Sequence, residues 1–571
     1  MQAIEREPRR GLPIGDVLVL LGLVGVVYSL AQTAALWSAP IAGHIEIDLS
    51  PLALPGYALA SVVRMAAAYV LSIVFSLIYG RLTISGPWAE RLLLPLLDVL
   101  QSIPILSFMP GVVLALVALF PRSNTGLELA AIILIFTSQA WNLAFSFYQS
   151  LRTIPSELHE AAIVARLNGW LRFTKLELPF ATIGLVWNSM MSWAGGWFFL
   201  MAAEQFTLGD KDFRLPGLGS YLKASADAGD VTALLLGLGT LIGIIVLLDQ
   251  LVWRPLVAWS DKFRFEQTES GEGATSAVLV AYRRSRLVAW FSERVMPRIG
   301  EVFDLAARAI SRLPTPAIGN SATSSLVGRV VLIVVFGGAG VWGLVSVVQL
   351  LASVSLDDWL EIAPAAGATF LRTAAALLIG TLWTVPVGVS IGMNPKLARR
   401  AQPIVQMAAS IPATALFPVL LLLLLGLPGG LNIAAVGLML LGTQWYLLFN
   451  VIAGAQAIPS DLREAAICYQ LRGWRRWRFL ILPAVFPYLL TGLITATGGA
   501  WNASIVSEYV TFGGQTYATV GLGALIADAA NNATYARLAA GTIVMAFLVV
   551  IVNRLFWRRL YYAAEQRYRL G

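Results

Sequence analysis

Residues 154–179 read IPSELHEAAIVARLNGWLRFTKLELP, and residues 458–483 read IPSDLREAAICYQLRGWRRWRFLILP. More than half of these aligned positions are identical, where average composition predicts roughly one or two. The match continues, always 304 residues apart, through the pairs Trp197 and Trp501, Glu204 and Glu508, and Gly217-Leu218-Gly219 and Gly521-Leu522-Gly523. Further upstream the spacing becomes 308, so that Arg64 corresponds to Arg372. The chain therefore contains two copies of one unit, fused head to tail.

The composition places both copies in a membrane. Of 571 residues, 58% are hydrophobic and 13% are charged, and the mean hydropathy is +0.74. Soluble chains are roughly 45–50% apolar and about 25% charged, so a water-soluble enzyme is excluded. The single cysteine, Cys468, excludes a disulfide framework, and two histidines are too few for a histidine-rich metal site. No cofactor is predicted.

Runs of about 20 apolar residues, long enough to cross a bilayer as helix, predict twelve spans, six in each copy. They begin near residues 16, 58, 92, 127, 178, 231, 328, 366, 402, 431, 484 and 538. Residues 16–37 follow a short basic stretch, as a signal peptide does, but their length favours an uncleaved first helix. Because six is even, we predict an all-α polytopic membrane protein with two parallel six-helix repeats.

The formal net charge of +8 raises the alternative of a nucleic-acid partner. With the N-terminus inside, 33 of the 40 lysines and arginines fall in the inside loops and the two tails, as expected for cytoplasmic segments. The charge is therefore a topological signal, and nucleic-acid binding is not needed to explain it. Both termini are predicted to be cytoplasmic.

Each copy carries a segment of about 25 residues between its fourth and fifth spans, on the predicted cytoplasmic side. Pro155 and Pro459 suit the first turn of a helix, and the alanine pairs that follow favour its continuation. Gly169 and Gly473 are expected to end the structure in a left-handed conformation. The pattern predicts a short, exposed helix with a small-residue face that docks into a groove on another protein. The alternative is an ordinary amphipathic loop helix.

Here the sequence resembles a known family. Glu160-Ala161-Ala162 before Gly169-Trp170, and Glu464-Ala465-Ala466 before Gly473-Trp474, are similar to the EAA loop of permease subunits in type I ATP-binding-cassette importers. The resemblance implies that these residues, Glu160, Ala161, Ala162, Gly169, Glu464, Ala465, Ala466 and Gly473, form coupling helices that contact an ATPase. One departure is that Arg166 and Gln470 stand where the family has glycine, six residues after the glutamate.

Other motifs resemble the branch of that family that imports nitrate, taurine and aliphatic sulfonates. They are Ser102-Ile103-Pro104, and Ala203-Glu204 followed by Gly217-Leu218-Gly219. With the span positions, the resemblance divides the chain into a tail, first helix and outside loop at 1–57, a first permease domain at 58–254, a basic cytoplasmic linker at 255–327, a first helix of the second half with its outside loop at 328–365, a second permease domain at 366–558 and a cytoplasmic tail at 559–571.

The linker 255–327 carries apolar residues such as Leu287, Trp290 and Phe291 at helical spacing among arginines. This pattern predicts a helix along the inner leaflet. The linker either simply holds both halves in one membrane or has a regulatory role.

The third span of each copy contains three prolines in register, Pro95, Pro104 and Pro110 against Pro403, Pro412 and Pro418. Broken helices persist at membrane depth only where protein or a water-filled cavity satisfies the freed backbone groups. We therefore expect Pro104 and Pro412 to line the translocation path. Ser102 and Ser410 either supply hydroxyl groups there or bond back to their own helices.

Arg64 and Arg372 lie inside predicted spans, where an unpaired charge is costly. They either attract an anionic solute, reach lipid headgroups, or form salt bridges to Glu204 and Glu508, which end the fifth spans. Trp197 and Trp501 near the same level either face a cavity or belong to an interfacial aromatic belt. The path candidates are therefore Arg64, Ser102, Pro104, Trp197, Glu204, Arg372, Ser410, Pro412, Trp501 and Glu508.

The sequence contains no G-x-x-x-x-G-K-[ST] phosphate loop, so the energy source is expected in a partner. The resemblance implies a bacterial inner-membrane permease that works by alternating access with two cytoplasmic ATPase subunits and an extracytoplasmic solute-binding protein. Its substrate would be a small anion such as nitrate, bicarbonate or a sulfonate. The rival interpretations are a secondary transporter driven by an ion gradient, which also uses parallel repeats, and an interaction scaffold.

Overall fold

The structure is a computed structural model that describes most of both copies. The described residues are 46–208, 211–263, 277–298, 345–512 and 515–557, with short pieces at 16–17, 19–20, 301, 338, 341–343 and 559–560. Most of the predicted first helix at 16–37, of the predicted helix from about 328, and of the linker beyond 298 lies outside the described residues.

The first copy is built from long helices that run back and forth, joined by short ones. Its elements are α1 (Leu54–Thr83), α2 (Pro87–Ser102), α3 (Ile105–Leu119), α4 (Thr125–Arg152), α5 (Ser156–Val164), α6 (Gly169–Arg172), α7 (Leu178–Glu204), β1 (Gln205–Leu208), β2 (Lys211–Arg214), α8 (Leu218–Asp227) and α9 (Val231–Leu248). The described part of the linker adds α10 (Arg254–Ser260), α11 (Ala277–Arg284) and α12 (Arg286–Trp290).

The second copy repeats this order. Its elements are α13 (Leu356–Gly392), α14 (Pro395–Ser410), α15 (Ala413–Leu424), α16 (Gly430–Gln456), α17 (Ser460–Cys468), α18 (Gly473–Arg476), α19 (Leu482–Ser507), β3 (Tyr509–Phe512), β4 (Gln515–Ala518), α20 (Leu522–Asn531) and α21 (Tyr535–Ile551). The helix α13 begins at Leu356, where Ser355 caps it by accepting a hydrogen bond from the Asp358 N–H. The segment 328–365, predicted as the first helix of the second half with its outside loop, therefore ends inside the helix α13.

The described residues contain seven helices long and apolar enough to cross a membrane, or eight if a bent pair counts as one span. These eight correspond to the spans predicted from about 58, 127, 231, 366, 402, 431, 484 and 538. The all-α polytopic class is confirmed. The count of twelve spans stays a prediction. The spans predicted from about 16 and 328 lie largely outside the described residues, and the helices at the spans predicted from about 92 and 178, α2 with α3 and α7, are described but are not among these eight.

Only one of the three prolines in each third span breaks the helix. Pro104 separates α2 from α3, and Pro412 separates α14 from α15 at an angle of 81°. Pro95 and Pro403 lie inside the preceding helices. The break occurs at the Ile-Pro step because a residue before proline is driven out of the helical region, and Ile103 and Ile411 have extended ψ angles of 125° and 119°.

Two small β-hairpins were not predicted. β1 pairs with β2 and β3 pairs with β4, both antiparallel, directly after α7 and α19. In the sequence, Gly209-Asp210 and Gly513-Gly514 stand between the strands and are pairs typical of two-residue hairpins, but strands of four residues are too short to show an alternating pattern. The end of the molecule that carries the hairpins is called the hairpin end, and the end that carries α5 and α17 is called the loop end.

The two copies pack against each other in parallel. Ala202 of α7 and Ile505 of α19 share one hydrophobic cluster with Leu522 of α20, and Gly195 of α7 and Gly499 of α19 line one cavity. Corresponding residues therefore lie at the same level. The shared cluster lies toward the hairpin end and joins both copies there through buried apolar side chains.

Candidate functional site

The short helices at the loop end match each other closely. α5 and α17 both begin one residue after a proline, Pro155 or Pro459, whose extended conformation directs the chain into the helix. Glu160 and Glu464 are exposed. Ala161 is exposed and Ala465 half-buried. The predicted short helix with an exposed glutamate is thus present in both copies.

These helices end differently from the prediction. Arg166 and Gln470 adopt positive φ angles of 49° and 52°. In the first copy the Leu167 N–H donates to the Ala162 carbonyl at 3.0 Å and the Arg166 N–H donates to the Ile163 carbonyl at 2.9 Å, the paired bonds of a left-handed helix end. The turn that a glycine usually supplies is therefore made by these two residues.

The expectation that Gly169 and Gly473 end the helices is accordingly corrected. Both glycines begin the next short helix, α6 or α18. The chain has already turned three residues earlier, because the last helical turn closes at Val164 or Cys468. Gly473 does adopt a positive φ of 54°, but at the start of α18.

The second alanine of each motif faces the protein. Ala162 and Ala466 are 6% and 4% exposed, and Ala466 packs with Ile458, Leu480 and Ala484. Their side chains are not available to a partner, unlike the small-residue docking face expected from the sequence. The exposed apolar surface belongs instead to Ile163 and Val164 on α5, and to Ile467 and Tyr469 at the end of α17.

Ion pairs hold the segment after α5 of the first copy against the helix bundle. Arg81 at the end of α1 pairs with Glu177 and donates to the Gly169 carbonyl at 3.1 Å, while Arg172 Nε lies 3.0 Å from Glu177 Oε1. The corresponding positions in the second copy, Val389 and Ile481, lie together in an apolar cluster. The same junction is therefore ionic in one copy and apolar in the other.

At the hairpin end, Arg64 is at the centre of a buried ion-pair network. Its Nε and Nη2 atoms lie 2.6 and 2.8 Å from the two carboxylate oxygens of Glu128, and its Nη1 lies 2.7 Å from Glu204 Oε1. Ser61 Oγ also donates to Glu204, at 2.7 Å. All three charged side chains are at most 2% exposed. Of the three roles considered for Arg64, attraction of an anion, contact with lipid headgroups and a salt bridge to Glu204, the salt bridge is confirmed.

Arg372 makes the corresponding network in the second copy with one charge fewer. Its Nη1 lies 2.7 Å from Glu508 Oε1, but its Nε and Nη2 donate to Asn432 Oδ1 at 3.1 and 2.7 Å. Asn432 stands where the first copy has Glu128, and Thr369 replaces Ser61 in donating to the glutamate at 2.9 Å. The Arg372 side chain is 12% exposed.

The Gly-Leu-Gly motifs hold these glutamates. A Cβ on Gly217 would lie 2.3 Å from the Glu204 carboxylate, and one on Gly521 would lie 2.1 Å from Glu508 Oε2. The second glycine of each motif also binds the carboxylate, since the Gly219 and Gly523 N–H groups donate to Glu204 and Glu508 at 2.7 and 2.8 Å. Glycine is required here because only a residue without a side chain lets the backbone approach so closely.

A cavity lies between the copies. Its empty volume is about 760 Å³, including the part open to solvent. It is lined by α7 of the first copy and by α14, α15, α16 and α19 of the second, and none of the described residues that line it is charged. Its polar groups come from Gln406, Trp445, Tyr446 and Asn502. Arg64, Arg372, Glu204 and Glu508 line neither this cavity nor the smaller one beside it.

The remaining path candidates divide between cavity and core. Pro412 lines the larger cavity, and Trp197 and Ser410 line the smaller one. Ser410 Oγ donates to the Gln406 carbonyl at 2.9 Å, which confirms that it bonds back to its own helix. Trp501 is fully buried in the cluster shared by the copies, and Pro104 is buried at the break before α3. The Ser102 side chain lies outside the described atoms.

Asn502 of α19 connects the two copies directly and was not predicted. Its Oδ1 accepts hydrogen bonds from the Ile105 and Leu106 N–H groups, at 2.7 and 3.4 Å, and so caps α3 of the other copy. The corresponding residue of the first copy is Phe198, which also lines the cavity. The sequence did carry a signal for Asn502, because it is a polar residue in the fifth span whose counterpart in the first copy is apolar. Glu128, the second partner of Arg64, carried a signal of its own as an acid in the fourth span.

Two duplicated units of long apolar helices, with a cavity at their junction, define a polytopic all-α membrane protein. The family model described as "Binding-protein-dependent transport system inner membrane component" matches residues 51–261 and again residues 384–570. The chain belongs to this family and contains its domain twice.

Individual relatives match about a third of the chain. The nitrate import permease protein NrtB of Leptolyngbya laminosa is 27% identical over 33% of this chain and 64% of its own length. The bicarbonate transport system permease protein CmpB of Synechococcus elongatus is 29% identical over 28% of this chain and 55% of its own length. The taurine transport system permease protein TauC of Escherichia coli is 27% identical over 34% and 68%, respectively. The match thus covers less than two thirds of the first two relatives.

Proposed function

We propose that this chain supplies both permease domains of an ATP-driven importer, so that two fused domains replace two separate permease subunits. The observation that carries the proposal is the pair of exposed loop helices, α5 and α17, which occupy corresponding places in the two copies. Each presents an exposed glutamate and exposed aliphatic or aromatic side chains. Two equivalent docking helices suit two ATPase subunits, and the basic loops around them favour a cytoplasmic position.

The partner contact falls on the exposed part of each helix. In this proposal Glu160, Ala161 and Ile163 contact one ATPase, and Glu464, Ala465 and Ile467 contact the other. Ala162 and Ala466 support the contact from below by packing α5 and α17 onto the bundle. An extracytoplasmic solute-binding protein would deliver substrate to the hairpin end.

Transport would proceed by alternating access between the copies. The buried cluster shared by both copies closes the hairpin end, while the cavity lies on the loop side of that cluster. Separation of the copies at the hairpin end would expose the cavity to the other side of the membrane. The broken helices α3 and α15 contact α19 and α7 of the opposite copy, so they would transmit that movement.

The proposed substrate is a small anion such as nitrate, bicarbonate or a sulfonate. The named relatives import nitrate, bicarbonate or taurine. The cavity agrees with this class, because its amide, hydroxyl and indole groups offer hydrogen-bond donors without a fixed cation that would hold an anion too tightly. A secondary transporter is less well supported, since the intramembrane arginines are engaged by carboxylates.

The coupling proposal is tested with Glu160→Lys combined with Glu464→Lys. ATP-dependent uptake by proteoliposomes that contain the permease, its ATPase and its binding protein should be lost, and ATPase co-purification should fall. The matched variant is Glu160→Gln with Glu464→Gln, which removes charge without reversing it and should retain part of both activities. Uptake that persists in the lysine variant at equal membrane abundance would refute the coupling role.

Substrate class is tested in the same proteoliposomes. Labelled nitrate, bicarbonate and taurine are compared, and at least one should accumulate only with ATP. Accumulation that follows an imposed proton or sodium gradient without ATP would favour the secondary transporter instead.

A further inference from the structure

The described part of the linker forms a basic and apolar surface. Arg283, Arg284, Arg286, Arg294 and Arg298 stand against one acid, Glu293, between residues 277 and 298. All six charged side chains are exposed. Exposed apolar side chains alternate with them along the same 22 residues. These are Val280, Val288, Trp290, Phe291 and Met296.

This segment is held beside one end of an apolar span. The Tyr282 hydroxyl donates to the Leu251 carbonyl at 3.2 Å, and Leu251 belongs to the apolar span at Val231–Ser260. On its other side, Asp16 Oδ1 accepts hydrogen bonds from Ser285 Oγ at 2.5 Å and from the Leu287 N–H at 3.0 Å. Both anchors place α11 and α12 beside the loop-side end of a span.

We propose that the linker surface at 277–298 binds the headgroups of anionic phospholipids in the inner leaflet. The arginines would contact the phosphates, and Val288, Trp290 and Phe291 would enter the boundary of the acyl chains. Charge complementarity favours this partner, because an excess of four positive charges faces a leaflet that attracts basic segments. A protein docking site explains less well why exposed aromatic and aliphatic side chains occur at the level of the bilayer edge.

The bound lipid would act on the transport path through packed helices. α11 packs on α10, and α10 packs on α7, which lines both cavities. Trp253, just before α10, lines the smaller cavity and packs against Val186 and Met190 of α7. Lipid occupancy would therefore restrain the helix that forms the first copy's side of the path. This inference is independent of the substrate and of the ATPase.

The experiment uses the full chain in nanodiscs of phosphatidylcholine alone or mixed equally with phosphatidylglycerol. Because Cys468 is the single cysteine, a Cys468→Ser background allows a fluorophore to be attached at Val288→Cys. Lipids that carry a nitroxide on the headgroup should quench this label, and phosphatidylglycerol should increase the quenching. The phosphatidylglycerol retained by the purified chain is measured in parallel by native mass spectrometry.

The test variant replaces the exposed arginines of the surface by glutamine at Arg283, Arg284, Arg294 and Arg298. Each basic residue contributes about fivefold to binding of an anionic surface, so retained phosphatidylglycerol should fall by more than about tenfold. The matched control makes the same replacement at other exposed arginines, Arg399, Arg400, Arg472 and Arg475, and should retain the lipid.

The proposal is overturned if the label is unquenched in both membranes, or if the test and control variants lose phosphatidylglycerol equally. It is also overturned if added ATPase subunits displace the quencher from the label, because the surface then docks protein. Melting temperatures of all variants are measured, and a variant that does not fold is replaced by the pair Arg283→Gln and Arg284→Gln.

Discussion

Replacement of Arg64 by alanine should destabilise the protein more than replacement of Arg372, although the two arginines occupy corresponding positions. Arg64→Ala leaves two carboxylates, Glu128 and Glu204, buried without their cation. Arg372→Ala leaves one, because Asn432 is neutral. Removing one partner of a buried ion pair costs about 3–5 kcal/mol. We therefore expect about 5 kcal/mol or more for Arg64→Ala and about 3 kcal/mol for Arg372→Ala.

A second substitution separates charge from packing. Glu128→Gln in the Arg64→Ala background removes one of the two uncompensated charges and makes that site resemble the second copy. It should restore about 1–3 kcal/mol, within the range of coupling energies between contacting groups. The free energy of unfolding of each variant is measured by denaturant titration of the purified protein in detergent.

The same variants decide whether Arg64 handles substrate. Uptake per folded molecule should be nearly normal in the Arg64→Ala and Glu128→Gln double variant, because Arg64 lines neither cavity. Equal destabilisation by Arg64→Ala and Arg372→Ala would refute the charge argument. Loss of uptake by a folded double variant would indicate that Arg64 does contribute to the substrate path.

Two further predictions concern glycine and its substitutes. Gly521→Ala should lower the melting temperature because its Cβ would overlap the Glu508 carboxylate. The control Gly239→Ala should leave the melting temperature unchanged, because no atom lies within 4 Å of the added Cβ. Equal changes in the two variants would contradict the claim that Gly521 lets the backbone approach Glu508. Arg166→Gly with Gln470→Gly should raise the free energy of unfolding by about 1 kcal/mol per site, because glycine adopts the left-handed conformation without strain. ATPase coupling should be unchanged. A fall in the free energy of unfolding would contradict the claim that these two residues are strained.

The fold was largely predictable because its signals are local. The duplicated Glu-Ala-Ala segments and the Ile-Pro steps at Pro104 and Pro412 act within a few residues, so the copies, the loop helices and the broken helices could all be predicted. The partners of Arg64 could not be predicted with the same precision. Glu128 lies 64 residues away, and the rotation of each helix about its axis decides which polar side chains meet. Apolar spans with weak amphipathicity leave that rotation unspecified.

Comparison of the two copies shows where duplication preserved geometry and changed chemistry. Glu128 corresponds to Asn432, the Arg81–Glu177 junction corresponds to Val389 and Ile481, and Asn502 corresponds to Phe198. At each of these places the two copies differ in charge or polarity. At the first two of these places the first copy uses ion pairs, which are expensive to break when they are buried, and the second copy uses neutral or apolar groups, while it keeps the buried pair Arg372–Glu508. The polar groups of the large cavity all come from the second copy, from Gln406, Trp445, Tyr446 and Asn502. The copy with fewer ion pairs therefore also carries the side chains suited to contact substrate, and the two halves are not interchangeable.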